Sequence, residues 1–208
     1  MLKKSFVLLS LASLASLFPL NAEDKTKGVY FTGSAGLGTM SDIDVQKTLG
    51  SGTYEFESGF SGEVGIGYDF GNFRAAVTYN ENNTDLSRIQ GLGSDVGVNI
   101  TSYLFSTAYD FRAEKKWQPY IGAGVGSAKV EFNTHNGSSI SYGGVVTKKG
   151  DDSVFTARIN GGLNYEATKN IDIFGEVWGQ TFGDFTIGTL TLEGGNMTGA
   201  SLGLRYKL

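Results

Sequence analysis

Stretches of about ten residues, in which apolar and polar side chains alternate, recur eight times along this chain, and the connections between them alternate between short and long. The stretches run from Val29 to Thr39, Gly59 to Asp69, Phe73 to Asn80, Ile100 to Phe111, Pro119 to Val130, Phe155 to Tyr165, Ile171 to Phe182 and Thr198 to Leu208. Period two marks a strand whose two faces meet different environments, and about ten residues is the length with which a tilted strand crosses a bilayer. Phe70-Gly71-Asn72, Ala113-Glu114-Lys115-Lys116 and Ala167-Thr168-Lys169-Asn170 make tight polar hairpins. The connections around 40–58, 81–99, 131–154 and 183–197 are much longer and rich in Gly, Ser, Asn and Asp. Short turns at one end and long loops at the other are the pattern of a transmembrane barrel, with the turns in the periplasm and the loops outside the cell. The predicted fold is therefore all-β, an eight-stranded antiparallel up-and-down barrel with both termini on the periplasmic side.

The first residues support export. Met1, Leu2, Lys3 and Lys4 precede an apolar stretch from Phe6 to Leu20, which ends in Leu20-Asn21-Ala22. A basic start, a hydrophobic middle and a small residue at the cut make a secretory signal peptide, expected over 1–22, with the barrel domain over 23–208. Removing 22 residues from 208 leaves 186, and losing Lys3 and Lys4 takes the formal charge from −4 to −6. An acidic chain of that length suits one domain and argues against nucleic acid as a partner. Cysteine is absent, so neither disulfides nor thiolate metal sites are available. The mean hydropathy of −0.11 fits a wall in which only every second residue meets lipid.

Parity assigns the faces. In the fourth stretch Tyr103, Phe105, Thr107, Tyr109 and Phe111 share one side, and the same phase places Phe73, Ala75, Val77 and Tyr79, and then Ala200, Leu202, Leu204, Tyr206 and Leu208, toward lipid. The opposite faces collect Glu63, Arg74, Arg158, Asn160, Glu176, Gln180 and Arg205. An eight-stranded barrel leaves room only for side chains inside, so the expected interior is a network pairing Arg74, Arg158 and Arg205 with Glu63 and Glu176. Trp178 is expected inward and Trp117 beside a periplasmic turn.

Several of these segments resemble a known family. Trp117-Gln118-Pro119-Tyr120-Ile121-Gly122-Ala123-Gly124-Val125-Gly126 is similar to the turn and fifth strand of eight-stranded outer-membrane β-barrels of the opacity type. Phe73-Arg74-Ala75-Ala76-Val77-Thr78-Tyr79 resembles the third strand, and Ser102 to Phe111, ending Ala-Tyr-Asp-Phe, resembles the fourth. The transmembrane domain of outer membrane protein A shares the architecture. The chain departs from the pattern at Ala76, where an acidic residue is common, and at its terminal Leu208, where phenylalanine is usual. Gly203, Tyr206 and Leu208 match the assembly signal at the end of such barrels. The resemblance implies periplasmic chaperones and the outer-membrane assembly machinery as partners during biogenesis, outer-membrane lipids thereafter, and residence in the cell outer membrane. It implies no single function, since members serve as adhesins, surface antigens, envelope-stabilising proteins or narrow channels.

Chemistry has few footholds. His135 sits in a polar loop, Asn133-Thr134-His135-Asn136-Gly137, with no nucleophile fixed beside it, so an envelope lipid hydrolase is a minor alternative. Glu63 and Glu176 could be imagined as a glycosidase pair, but three arginines share their face. The Gly122, Gly124, Gly126 series precedes no helix and so is no phosphate loop; it is read as making room for Tyr120 and Trp178. Lys148, Lys149, Asp151 and Asp152 in loop three, and Asp42, Asp44, Glu55, Glu57 and Lys47 in loop one, are read as solvated, with calcium or lipopolysaccharide contact the alternative. Asn82-Asn83-Thr84 and Asn136-Gly137-Ser138 match a glycosylation pattern without bearing on a bacterial barrel. No metal, cofactor or catalytic residue is expected. The leading expectation is a non-enzymatic barrel that displays surface loops, in adhesion, as an antigen or in envelope structure, with an extracellular ligand at the loops as a candidate partner. A narrow pore for small solutes is second, and a soluble ligand-binding barrel a distant fourth.

Overall fold

A computed structural model of the chain describes residues 13–15, 27–41, 43–47, 50–56, 58–88, 96–111, 115–134, 140–142, 145–147, 149–187, 190–192 and 194–208. Eight long strands form the wall: β1 (Gly28–Met40), β2 (Gly59–Asp69), β3 (Phe73–Arg88), β4 (Val96–Asp110), β5 (Trp117–Thr134), β6 (Lys149–Glu166), β7 (Ile171–Phe182) and β8 (Asn196–Lys207). Each pairs antiparallel with the next. The ring closes where β8 meets β1. There Leu208 donates its amide to the Val29 carbonyl at 3.1 Å, and Ser41 donates to Asn196 at 2.8 Å. Lys207 lies opposite Tyr30 between these bonds. Of residues 1–26 only Ser13–Ala15 is described, as a short strand parallel to β8 at Arg205 and Tyr206.

The wall is taller on one side than the alternation of side chains indicates. The third stretch was expected to end at Asn80 and the fourth to begin at Ile100, yet the β3–β4 ladder continues through Asn82 opposite Ile100 to Leu86 opposite Val96. Likewise β5 and β6 remain paired up to Asn133 opposite Lys149. Beyond the bilayer polar residues are tolerated on both faces, so the hydropathy signal fades while the backbone groups still need partners. Three hairpins continue the same pairing in the outer connections: Ile43–Lys47 with Gly50–Phe56, Ile140–Tyr142 with Val145–Thr147, and Phe185–Ile187 with Leu190–Leu192.

Outward faces are apolar across the membrane span. Ile159, Val177 and Leu202 are 69, 66 and 73 % exposed, which on a water-soluble barrel would be untenable. Aromatic pairs ring both ends of this band: Tyr79 on Tyr103 at 5.4 Å at the outer end, and Tyr109 on Phe111 and Trp117 on Tyr165 at 5.2 and 4.6 Å at the turn end. The first outward charges in β3 and β5 are Glu81 and Lys129, just past the outer ring.

Four large rings of the interior each lie over a glycine. The indole of Trp178 lies over Gly38 and Gly199, and the Phe174 ring occupies the place a Cβ would take at Gly203. Tyr30 and Tyr120 lie in the same way over Gly67 and Gly162. The series expected to make this room does something else: Gly122 faces Asn160, Gly124 faces Ser106, and Gly126 lies close to the Tyr103 carbonyl. Alternation identified the inward glycines of β5, but the room for each ring comes from its ladder neighbours.

Gly203→Val is expected to destabilise the barrel by about 1–3 kcal/mol through overpacking, lowering the temperature at which its compact form is lost on a denaturing gel. Shortening the opposing ring with Phe174→Leu in the same chain should recover part of that loss. Equal melting of both variants and the parent would show that the ring does not need the glycine.

Candidate functional site: the barrel interior

The interior is layered, and its centre is Arg158. On β6 this guanidinium lies 3.4 Å from Glu63 of β2 and 3.4 Å from Glu176 of β7. It donates to the Asn80 side chain at 2.5 Å and stacks 4.3 Å over the Trp178 ring. Glu176 also accepts from the Tyr120 hydroxyl at 2.9 Å and from Asn160 at 2.8 Å. Four strands are thereby cross-linked through one cation, in a space where each unmade bond would be costly.

Arg74 and Arg205 do not join the two glutamates. Arg74 pairs with Asp110 at 2.7 Å, both buried. It stands opposite Ala108 in the β3–β4 ladder, two residues from Asp110 on the same face, whereas Glu63 is opposite Asn80, six residues further up the strand. At about 3.4 Å per residue that separation exceeds the reach of an arginine. Arg205 stands opposite Asp172, four residues short of Glu176 on β7. It forms no ion pair with a described residue, and its guanidinium lies over the rings of Phe174, Tyr120 and Tyr30 at 5.0, 5.7 and 5.8 Å.

The turn end of the interior holds a second pair that the sequence reading missed. Lys207 and Asp69 are buried and 3.2 Å apart. The other Asp69 oxygen accepts from the amide of Gly71, whose φ of 111° closes the β2–β3 turn in a conformation favouring glycine. The pair thus ties the last strand to the first hairpin. Beside it Asn164 bridges Gln118 and Asp172 at 3.1 and 2.7 Å. The signal for Lys207 was present, since Arg205 and Lys207 share the inward phase of β8.

Between these layers lies a small cavity of about 60 Å³, bordered by Arg74, Arg158, Arg205, Glu63 and Ala76. That is room for a few waters and no more. Ala76 and Arg205 both border this space. Toward the outer end the lining changes character. Met40, Val98, Ile100, Ala128, Val130, Val154, Phe182 and Met197 pack with Trp178 into one buried apolar cluster. Below it Gln180 donates to Ser102 and Thr156, both at 3.0 Å. An apolar constriction above a charged interior opposes ion passage by dewetting.

Of the residues matching an assembly signal, Gly203 faces inward against Phe174, while Tyr206 and Leu208 are exposed on the outer face. His135 lies outside the described residues, as do Asp42, Glu57 and Lys148. Among the described residues no group of histidine, aspartate and glutamate is arranged to hold a metal ion.

Removing one member of the Arg74–Asp110 pair leaves a buried charge without compensation, at a cost of roughly 3–5 kcal/mol. Arg74→Met and Asp110→Leu should each lower stability by that order in urea titrations of the folded barrel in detergent, and the double variant should lose less than either. Additive losses would show that the two groups are energetically independent.

Sequence and fold comparisons agree with this geometry. The model of the outer membrane protein beta-barrel domain matches residues 6–207. Outer membrane protein PagN of Salmonella typhimurium is 28% identical over 196 residues, covering 82% of this chain and 80% of that protein. Protein opa of Haemophilus influenzae is 32% identical over 117 residues, covering 51% of this chain and 86% of that one. Among solved structures, Neisserial surface protein A superimposes with a TM-score of 0.58 at 19% identity, over 88% of this chain and all of that one. The chain belongs to the outer membrane protein beta-barrel family and resides in the outer membrane, which it crosses as an eight-stranded barrel.

Proposed function

We propose that this protein is a non-enzymatic display barrel, whose outer connections form a contact surface for adhesion or surface recognition while its wall anchors them in the envelope. One observation carries the reading: among the described residues the interior is occupied by side chains except for one cavity of about 60 Å³, and the long connections all leave from the outer rim. The carboxylates that a hydrolase would use are engaged in structural pairs, Glu63 and Glu176 with Arg158 and Asp110 with Arg74. The rim is also more than loose chain. The β3–β6 ladders rise past the outer aromatic ring, and the hairpin strand Gly50–Phe56 joins the top of β3 at Leu86 and Arg88. Binding surfaces placed on connections held by a rigid scaffold are the usual arrangement. Relatives bearing the names opa and PagN support a place at the cell surface.

The apolar cluster argues against the pore reading. Without a wetted path at its level, reconstituted protein should give no reproducible single-channel steps in a planar bilayer. Cells producing the barrel should bind host cells or abiotic surfaces more than cells with a variant whose four outer connections are replaced by short turns, the two barrels being present in equal folded amounts. Binding that survives the replacement would remove the rim as the functional surface, and steady conductance by the intact barrel would return the pore to first place.

A further inference from the structure

The charges of the chain are divided unequally across the membrane. Segments 41–58, 81–99, 129–154 and 183–197, beyond the outer aromatic ring, carry twelve acidic and five basic side chains. The three turns at the other end, 70–72, 111–116 and 166–170, carry two acidic and four basic ones. The charges of the three turns all lie in the β4–β5 and β6–β7 turns, because the β2–β3 turn, Phe70-Gly71-Asn72, has none, and Lys27 before β1 is the exposed lysine on that other side.

The arc is built, not merely basic. Lys115 and Lys116 directly precede Trp117, whose ring packs on Tyr165 at 4.6 Å. The Glu166 amide donates to the Lys116 carbonyl at 2.9 Å, tying the β4–β5 turn to the end of β6. Lys169 lies in the next turn, which is closed by the Ala167 amide on the Ile171 carbonyl at 2.9 Å and by the Thr168 hydroxyl accepting from Ile171 at 3.0 Å. All three lysines are exposed, and none makes an ion pair with a described residue. Lys129, at the opposite end, is held by Glu131 at 2.9 Å.

We propose that Lys115, Lys116 and Lys169 form a docking surface for anionic phospholipid headgroups of the periplasmic leaflet, of the phosphatidylglycerol class. The Trp117–Tyr165 pair fixes the depth, because such rings settle at the headgroup level, and it places the neighbouring ammonium groups in the phosphate plane and not out in the periplasm. The anionic charge of the headgroup complements an arc of turns in which basic residues exceed acidic ones, four to two. Each lysine near an anionic surface strengthens association roughly fivefold, within a Debye length of the membrane. Arg112 adds to this charge and Glu114 and Glu166 offset part of it, so the three lysines together are worth about tenfold or more.

The mature chain, folded in detergent, is titrated with phosphatidylglycerol or with phosphatidylcholine of the same acyl chains, and bound lipid is counted by native mass spectrometry. Phosphatidylglycerol should be retained about tenfold more strongly. The preference should vanish in K115Q/K116Q/K169Q and at high salt, and persist in K129Q. Equal retention of the two lipids overturns the proposal, as does a preference that survives the triple substitution. It is also overturned if the lysines serve instead to bind soluble peptidoglycan fragments while the lipids are held alike. Unchanged melting of the triple variant separates loss of the surface from loss of the fold.

Discussion

Every backbone amide and carbonyl inside a bilayer must find its partner within the protein, because the hydrocarbon offers none. A sheet meets this demand only by closing, and the rest of the molecule follows from the closure between β8 and β1. The bonds from Leu208 to Val29 and from Ser41 to Asn196 remove the last two edges. They also bring the last strand of the wall to the first, so Lys207 can reach Asp69 across the interior and complete the β2–β3 turn. Backbone closure and side-chain locking thus occur at the same place.

Eight strands enclose too little space for a channel of bulk water, and what fills the space decides how firmly the ring holds. The solution here differs with depth. At the turn end and the centre, cations bridge strands far apart in sequence, with Arg158 joining β2, β3, β6 and β7 at once. Such pairs contribute little net stability, since desolvation consumes most of the attraction, but they are intolerant of a wrong register, because a shift by one residue would turn each charge into lipid. At the outer end the filling is aliphatic and aromatic. There specificity comes from packing, and ions are excluded for the same reason that water is.

Much of this was legible in the amino-acid sequence, and the rest failed for identifiable reasons. The strand count, the phase of each strand and the inward direction of Glu63, Arg74, Arg158, Glu176 and Arg205 follow from period two, which lipid enforces. Partner choice does not follow, because it depends on stagger between strands. Arg74 finds Asp110 through a diagonal across one ladder, a relation invisible until the register is known. The apolar cluster was missed for another reason. Val98 and Val154 lie just outside the stretches that alternation marks, although the ladders continue through them. The three turns were placed well, since Gly, Asn and Lys punctuate them plainly.

The missed ladder extensions and the missed apolar cluster share a boundary, the plane of the outer aromatic ring. Within the membrane the solvent on both sides of the wall is known, lipid outside and protein inside, and physics constrains nearly every position. Above that plane both faces of the β3–β6 ladders meet water or protein, and only the backbone remains constrained. Selection is then free to write other information there. The outer segments carry an excess of acidic residues while the turns do not, a difference that neither closure nor interior packing requires. A property that the fold does not demand, concentrated on the surface that faces the outside, is what the proposed display function draws on.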